Sequence, residues 1–505
     1  MKRLIFTLLT IAGLFSVASA QYVDQALIFS QQYFGSTARS KAMGNAFGAL
    51  GGDFSSLSIN PAGIAIYQRP EVSVSANLLG INNTQSTYQG QTSDDRSTTF
   101  NFRNFGYVFA QPTSSNTSGL VSVSFGLGFN RLNSFNQNIS TQALGSSYSR
   151  TDAFALNSNG ISSSAFFDEN NPYNNVPWES KLAWENYLMN VTNPDANGVG
   201  NQYQSILYAN ELVDQYENIN REGYINEYVA SFGANFNHRV YLGATLGIHD
   251  LYYDETRTYS EDAPFGYFDY LNHSSSRGYG YNLKLGVIVR PTDALRLGAA
   301  IHTPTFYTIK ESYSSTMSSN LHDVSTDADG THSASSPVGD YQYKFETPFR
   351  AIGSIAYQFG KKGLISLDYE YLDYSKSKLR KGDDGYNFAG ENQDISDIYK
   401  PVSNIHIGGE YRATDALSLR AGYESFGNPY KTNIDGVVQP NTNFKFNTIN
   451  AGLGYRLDNV SFDLSYSLGD RTNYMYIYQI PGMDVSPVKY HTLNHEIVFT
   501  IALKL

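Results

Sequence analysis

Nine histidines and 46 carboxylates are the groups from which this 505-residue chain would have to build a catalytic or metal site. His491 and His495 share one face of an alternating stretch, yet four residues of strand separate them by roughly 13 Å, too far for one metal ion. Asp323, Asp327, Asp329 and Gly330 hint at a calcium loop. The carboxylate that should close such a loop is missing, which leaves a solvated acidic loop. No serine stands in a nucleophile motif with a matching histidine and acid, and no glycine loop follows a strand and opens a helix to cradle phosphate. Cysteine is absent, which excludes disulfides, thiolate-bound zinc and a thiol nucleophile. The expectation is a protein that is not an enzyme, with no catalytic residues, no metal and no cofactor.

Composition points elsewhere. With 35 basic and 46 acidic side chains the net charge is −11, which argues against a nucleic-acid partner. Charged residues make up 16%, below the roughly 25% of soluble domains. Tyr 40, Phe 30 and Gly 43 dominate, a mixture too aromatic for disorder. Only the N-terminus approaches the length of a spanning helix. Such a chain suits a bacterial outer-membrane β-barrel. Met1-Lys2-Arg3, the apolar run from Leu4 to Phe15 and Ala18-Ser19-Ala20 read as a secretory signal, residues 1–20, cleaved before Gln21. No cysteine follows it, so a lipoprotein is excluded.

The elements that would carry function are strands. In Leu120–Asn130, Val121, Val123, Phe125, Leu127 and Phe129 alternate with Ser122, Ser124, Gly126, Gly128 and Asn130, giving one apolar and one small polar face. In a membrane barrel the first meets lipid and the second lines the lumen. The pattern recurs at Val240–His249, Tyr279–Arg290, Asn404–Arg412, Val460–Leu468 and Leu493–Leu505. Connections near 113, 238, 291, 360, 413 and 458 are short. The alternate ones, at about 80–98, 134–224, 258–276, 308–340, 379–400, 429–443 and 472–487, are long. Short turns at one rim and long loops at the other describe such a barrel. The count is fourteen strands, an all-β antiparallel transmembrane β-barrel over 69–505, its largest extracellular loop about 134–224.

Residues 21–68 lack alternation and are dense in Gly, Ala and Ser, while Met43, Phe47, Leu50, Leu57, Ile59 and Ile64 need burial. A hatch (plug) inside the lumen buries them. Gly35-Ser-Thr-Ala38-Arg39-Ser40, Met43-Gly44-Asn45-Ala46-Phe47, Asp53-Phe-Ser55 and Asn60-Pro61-Ala62-Gly63-Ile64 resemble the N-terminal hatch of the FadL-like outer-membrane transporters, channels for long-chain fatty acids and aromatic hydrocarbons. Asn104-Phe105-Gly106-Tyr107, His302-Thr303-Pro304 and Thr347-Pro348 also fit. Gly51-Gly52 and the terminal Leu505 depart from the pattern. The resemblance implies Met43, Gly44, Phe47, Asp53, Asn60, Pro61, Ala62 and Gly63 as hatch residues. It also implies a lateral exit at a kinked third strand, for which Gly126 and Gly128 are the candidates, since glycines weaken a strand.

Inward charges of both signs, Lys284, Arg290, Arg296, Asp368, Glu370, Glu410, Arg412, Arg420, Glu424, Asp463 and Glu496, read as a salt-bridged interior holding the hatch, with a selectivity ring as the alternative. Trp178, Leu182, Trp184 and Leu188 fall at helical spacing in the longest loop. They either pack down as a lid or form a capture surface for apolar ligands. The expected function is passive uptake of hydrophobic small molecules by a monomer embedded in outer-membrane lipid and inserted by the barrel-assembly machinery. A porin for polar solutes and a surface adhesin or structural barrel are the rivals.

Overall fold

Period-two alternation fixes strands whose two faces meet different surroundings, and only closure removes the unpaired edges of such a sheet inside lipid. The computed structural model describes residues 16–33, 37–113, 119–167, 176–322, 328–382, 385–434 and 437–505. Fourteen antiparallel strands form one closed barrel. They are β1 (Glu71–Tyr88), β2 (Gln91–Pro112), β3 (Leu120–Ser134, resuming as Gln137–Ser146), β4 (Val213–Phe236), β5 (Val240–Ala263) and β6 (Gly266–Val289). Next come β7 (Leu295–His302, then Phe306–Leu321), β8 (Gly330–Ser335, Gly339–Glu346 and Arg350–Phe359) and β9 (Gly363–Asp373, then Lys378–Arg380). The circuit ends with β10 (Pro401–Arg412), β11 (Leu417–Phe426), β12 (Lys445–Leu457), β13 (Val460–Met475) and β14 (Val488–Lys504). Neighbours in sequence are neighbours in space, and β14 closes on β1 from Glu71↔Lys504 to Thr87↔Lys489.

The faces are inverted relative to a soluble protein. Phe125, Leu127, Phe232, Leu242, Leu246, Leu285, Ile407 and Leu464 are exposed on the outside, whereas Ser75, Ser124, Thr245, Lys284, Asp368 and Asn450 are buried within. That is the arrangement lipid demands.

Several connections expected to be long loops are strand. β1 and β2 run on to a two-residue turn at Gln89-Gly90, both with positive φ of 47° and 81°, so 80–98 is a hairpin. Likewise β5 continues to Ala263 and β6 begins at Gly266, so 258–276 is ladder. The strands outrun the membrane, and beyond it both faces meet water, so the apolar alternation stops while the pairing does not. For the same reason the expected loop at 134–224 shrinks to 147–212, with β3 paired to β4 as far as Ser146↔Val213.

The lumen is filled by the N-terminal segment. It comprises α1 (Ser16–Ser30), α2 (Ala38–Ala42), α3 (Ser56–Ile59) and a 3-10 helix at Pro61–Ile66. Helix α1 begins ahead of the expected cleavage at Gln21, and residues 1–15 of the expected signal lie outside the described residues. So do Gly35 and Ser36 of the first hatch motif, and Asp323 and Asp327 of the acidic loop. Inward glycines on opposite sides of the barrel, Gly106, Gly128, Gly243, Gly298, Gly408 and Gly422, each stand where an added Cβ would overlap Phe54, Pro61, Gly48, Met43 or Gly44 of the hatch. The wall is glycine-rich because the plug's backbone presses against it.

Candidate functional site

The hatch is tied first to itself. Thr37 Oγ1 caps α2 through Ser40 N–H and donates to Asp53 at 2.9 Å, and Ser55 N–H donates to the same carboxylate at 2.9 Å. Seven residues on, Asn60 Nδ2 donates to Gly48 O at 2.6 Å and to Val287 O of β6 at 3.2 Å, while its Oδ1 accepts from Ala62 N–H at 3.1 Å and caps the 3-10 helix that Pro61 begins. Gly63 accepts from Gly52 N–H at 3.0 Å and has no room for a side chain beside Gly51 and Ser56. Met43 and Phe47 are fully buried against Ala300, Ile352 and Ala356 of the wall. Gly44 has φ +60° and backbone neighbours in β10 and β11, so it needs both the left-handed backbone and the absent side chain.

Charge then ties hatch to wall. Glu227 of β4, fully buried, accepts from Lys284 Nζ, faces His249 Nε2 at 3.2 Å and accepts from Ser58 Oγ of α3 at 2.5 Å. Glu424 of β11 faces Lys41 at 3.3 Å and His406 at 3.5 Å, and accepts from Asn45 Nδ2 at 3.1 Å. Arg39 joins Glu410 at 3.0 Å, with Arg420 bridging Glu410 and Asp463 at 2.7 and 2.5 Å. Arg103 meets Glu496 at 3.1 Å, Arg296 donates to Leu50 O at 2.8 Å and Asp368 accepts from Gly48 N–H at 2.7 Å. These inward charges pair with one another and with the plug instead of lining an open pore. Arg290 and Arg412 lie at the rim. Glu227 and His249 escaped the sequence reading, although both occupy inward positions of alternating strands.

Above the hatch lies an apolar cluster. Val23, Leu27 and Phe29 of α1 pack with Leu132, Phe135, Tyr253, Tyr307, Tyr343, Phe345 and Phe388. The Phe29 ring sits 5.6 Å from Tyr253 and 6.4 Å from Phe345. Loop 147–212 carries α4 (Arg150–Ser158) and α5 (Trp178–Glu185). Leu182 and Leu188 are wholly buried in a cluster with Phe154, Phe166, Phe268 and Tyr490. Trp184 stacks on Phe166 at 5.4 Å, and Lys181 covers Trp178 at 5.3 Å. Leu182 and Leu188 thus pack down as the lid alternative expects, while Trp178 and Trp184 stay half-buried. The leucines turn inward because strand ends rising past the membrane offer them an apolar bed. Arg150 fastens the lid: it pairs with Glu179 at 2.8 Å and lies over the rings of Tyr270 and Tyr259 at 4.7 and 5.0 Å. Burial in the same lid pushes the Tyr203 phenol up to about 12.

Beside this cluster the pairing of β3 changes, beyond Gly126 and Gly128. Gly126 and Gly128 are paired on both sides, with Val108 and Gly106 on β2 and with Ser231 and Val229 on β4. They face Leu57, Ile64 and Phe54 of the hatch, so they make space for the plug and do not kink the strand. The irregularity comes later. Pairing of β2 with β3 ends at Asn104↔Asn130, and Leu132 is an extra residue between Arg131↔Asn226 and Asn133↔Ile225. A bulge bends its strand, and beyond it β3 pairs only with β4 among the described residues. Side chains rejoin the edges at Asp95 and Ser140, 2.9 Å apart. From inside, Tyr33 N–H donates to Leu132 O at 3.0 Å and Asn133 Nδ2 donates to Gln31 O at 3.1 Å.

The two histidines on one face of β14 have separate partners, His491 with Asp470 at 3.1 Å and His495 with Tyr466 at 2.8 Å.

The sequence matches the outer membrane protein transport protein family (OMPP1/FadL/TodX) over residues 231–473. No curated protein matches it. The fold is similar to that of the Ralstonia pickettii toluene transporter TbuX, at 14% identity over 94% of this chain and 99% of that one, with a TM-score of 0.51. It is similar also to a Pseudomonas aeruginosa FadL homologue, at 14% identity over 93% and 98%, with a TM-score of 0.54. A closed, plugged, fourteen-stranded barrel whose residues 231–473 match that family's model is similar to the FadL-like outer-membrane transporters.

Proposed function

We propose that the barrel admits hydrophobic small molecules, fatty-acid-like or aromatic, by passive diffusion, and that they leave sideways through the wall between β2 and β3. The observation that carries this is the interruption of β2–β3 pairing from Asn104/Asn130 to Asp95/Ser140, which lies beside the apolar cluster around Phe29 and is bordered outside by Phe100 and Phe102. The hatch blocks the axial route to an apolar solute, whereas a lateral route ends in acyl chains, where such a solute is most stable. The toluene transporter among the similar folds and the family's transport role agree with that class of substrate.

Deleting Leu132 tests the exit. It removes the bulge yet keeps every pairing of β3 with β4, because Arg131↔Asn226 is then followed directly by Asn133↔Ile225. The straightened strand can pair with β2. Cells carrying the deletion should assemble a normal heat-modifiable barrel and lose most uptake of labelled long-chain fatty acid or toluene. Undiminished uptake would eliminate the lateral route.

A further inference from the structure

Outside the site lies a hollow in the lipid-facing wall, near the short-turn rim, that the transport reading does not use. It has a volume of about 530 Å³ and is lined by residues of β8 to β11. Its floor is made of small residues in register: Ile365 pairs with Gly409 and Gly409 with Ala421, while Gly363 pairs with Tyr411. Phe359, Ile365, Tyr411 and Leu419 stand around it, each with 41–56% of its surface exposed to the outside. A lipid-facing surface of β-barrel strands is ordinarily studded with large side chains, and here three small residues in a row leave a furrow between them.

One turn beyond the furrow the rim is cationic. Lys361 and Lys362 form the β8–β9 turn and Arg412 ends β10, its N–H donating to Lys362 O at 2.8 Å. All three are exposed. None takes part in an ion pair among the described residues, whereas Arg239 and Arg290 on the same rim are neutralised by Asp293. An apolar furrow that ends at three uncompensated cations is complementary to an amphiphile with an anionic head. The short-turn rim of such a barrel faces the periplasm, where the leaflet is phospholipid.

We infer that this furrow seats one anionic phospholipid of the periplasmic leaflet, an acyl chain lying over Gly363, Gly409 and Ala421 and the phosphate held by Lys361, Lys362 and Arg412. Long basic side chains at the interface reach the phosphate plane with their stems along apolar wall, and a phosphate accepts their charge-assisted hydrogen bonds. The bound lipid would fix the three strands on which Met43, Gly44 and Asp368 hold the hatch.

The test is native mass spectrometry of the whole protein released from phosphatidylglycerol or phosphatidylcholine nanodiscs. Wild type should retain one phosphatidylglycerol far more often than one phosphatidylcholine. Lys361→Gln, Lys362→Gln and Arg412→Gln together should erase that preference, each charge being worth about a fivefold change. Gly409→Leu should empty the furrow without unfolding the barrel, since a Cβ there makes only ordinary contacts at 3.5 and 3.8 Å. Gly353→Leu, on the neighbouring strand where a Cβ meets nothing within 4 Å, should leave retention unchanged. Equal retention of both lipids by wild type, retention that survives Gly409→Leu, or stabilisation by inorganic phosphate equal to that by lipid would overturn the assignment.

Discussion

The residue on which the closed state leans most is Glu227. Fully buried, it takes hydrogen bonds from a lysine and a hatch serine and faces a histidine, and removing one partner of such a cluster leaves the other charge unpaired. Glu227→Ala should cost about 3–5 kcal/mol, seen as a lower temperature for the heat-modifiable shift. Pairing the change with Lys284→Met should recover part of the loss. If Glu227→Ala melts like wild type, the cluster is not what holds α3. Gly408 makes the complementary case on the other side of the lumen. A side chain there would overlap the Met43 carbonyl, so Gly408→Val should lift the hatch from the wall and raise ion leak through an assembled barrel, whereas a leak unchanged from wild type would show that the plug yields without opening. Single residues of this sort were half legible. The hatch motif from Asp53 to Asn60 was visible in the sequence through its resemblance to the FadL-like hatch, and its side chains cap turns close to themselves. Glu227 and His249 were not, because their partners come from strands and a helix far away in the chain.

At the scale of elements, the strands that cross lipid were readable because lipid imposes alternation, and those that rise above it were not. The stretch Gln91–Thr99, polar on both faces, looked like loop and is strand. The wall break had the same fate. Glycines at 126 and 128 are conspicuous in the sequence, but a bulge is a property of register between two strands, so Leu132 carries no mark of its own. The lid is an element that the sequence left open between two readings, and its two buried leucines fit the packed-down one. Its fastening through Arg150 gives a direct expectation: Arg150→Met keeps the stem's bulk but loses the Glu179 pair and the interactions with the Tyr259 and Tyr270 rings. Limited proteolysis of intact cells should then cut within 147–212 at least about tenfold faster, as expected for a loss of 1–2 kcal/mol or more of local stability. An unchanged rate would place the lid's hold elsewhere, in the aromatic cluster alone.

For the whole molecule, three layers are stacked along the barrel: the packed loop 147–212 above, the hatch below, and between them an aromatic cluster beside the bulge at Leu132. Helix α1 is part of that cluster, so an incoming apolar molecule would have to displace it. The family match and the fold likeness support the class of protein, whereas the proposed lateral exit rests on this chain's own pairing pattern. A general porin with the same strand count would need a hydrated axial path, and here the axis is crossed by Arg39, Lys41 and the backbone from Thr37 to Ile66, bonded to strands all round the barrel. Deleting residues 37–68 should convert the closed barrel into an open, ion-conducting one while leaving β1 to β14 able to close. The most direct test of the central claim is single-channel conductance of the full-length protein in a planar bilayer, recorded on the preparation that takes up a hydrophobic probe in proteoliposomes. The account predicts probe uptake with no steady conductance; a stable open-pore current from the wild-type barrel would contradict it.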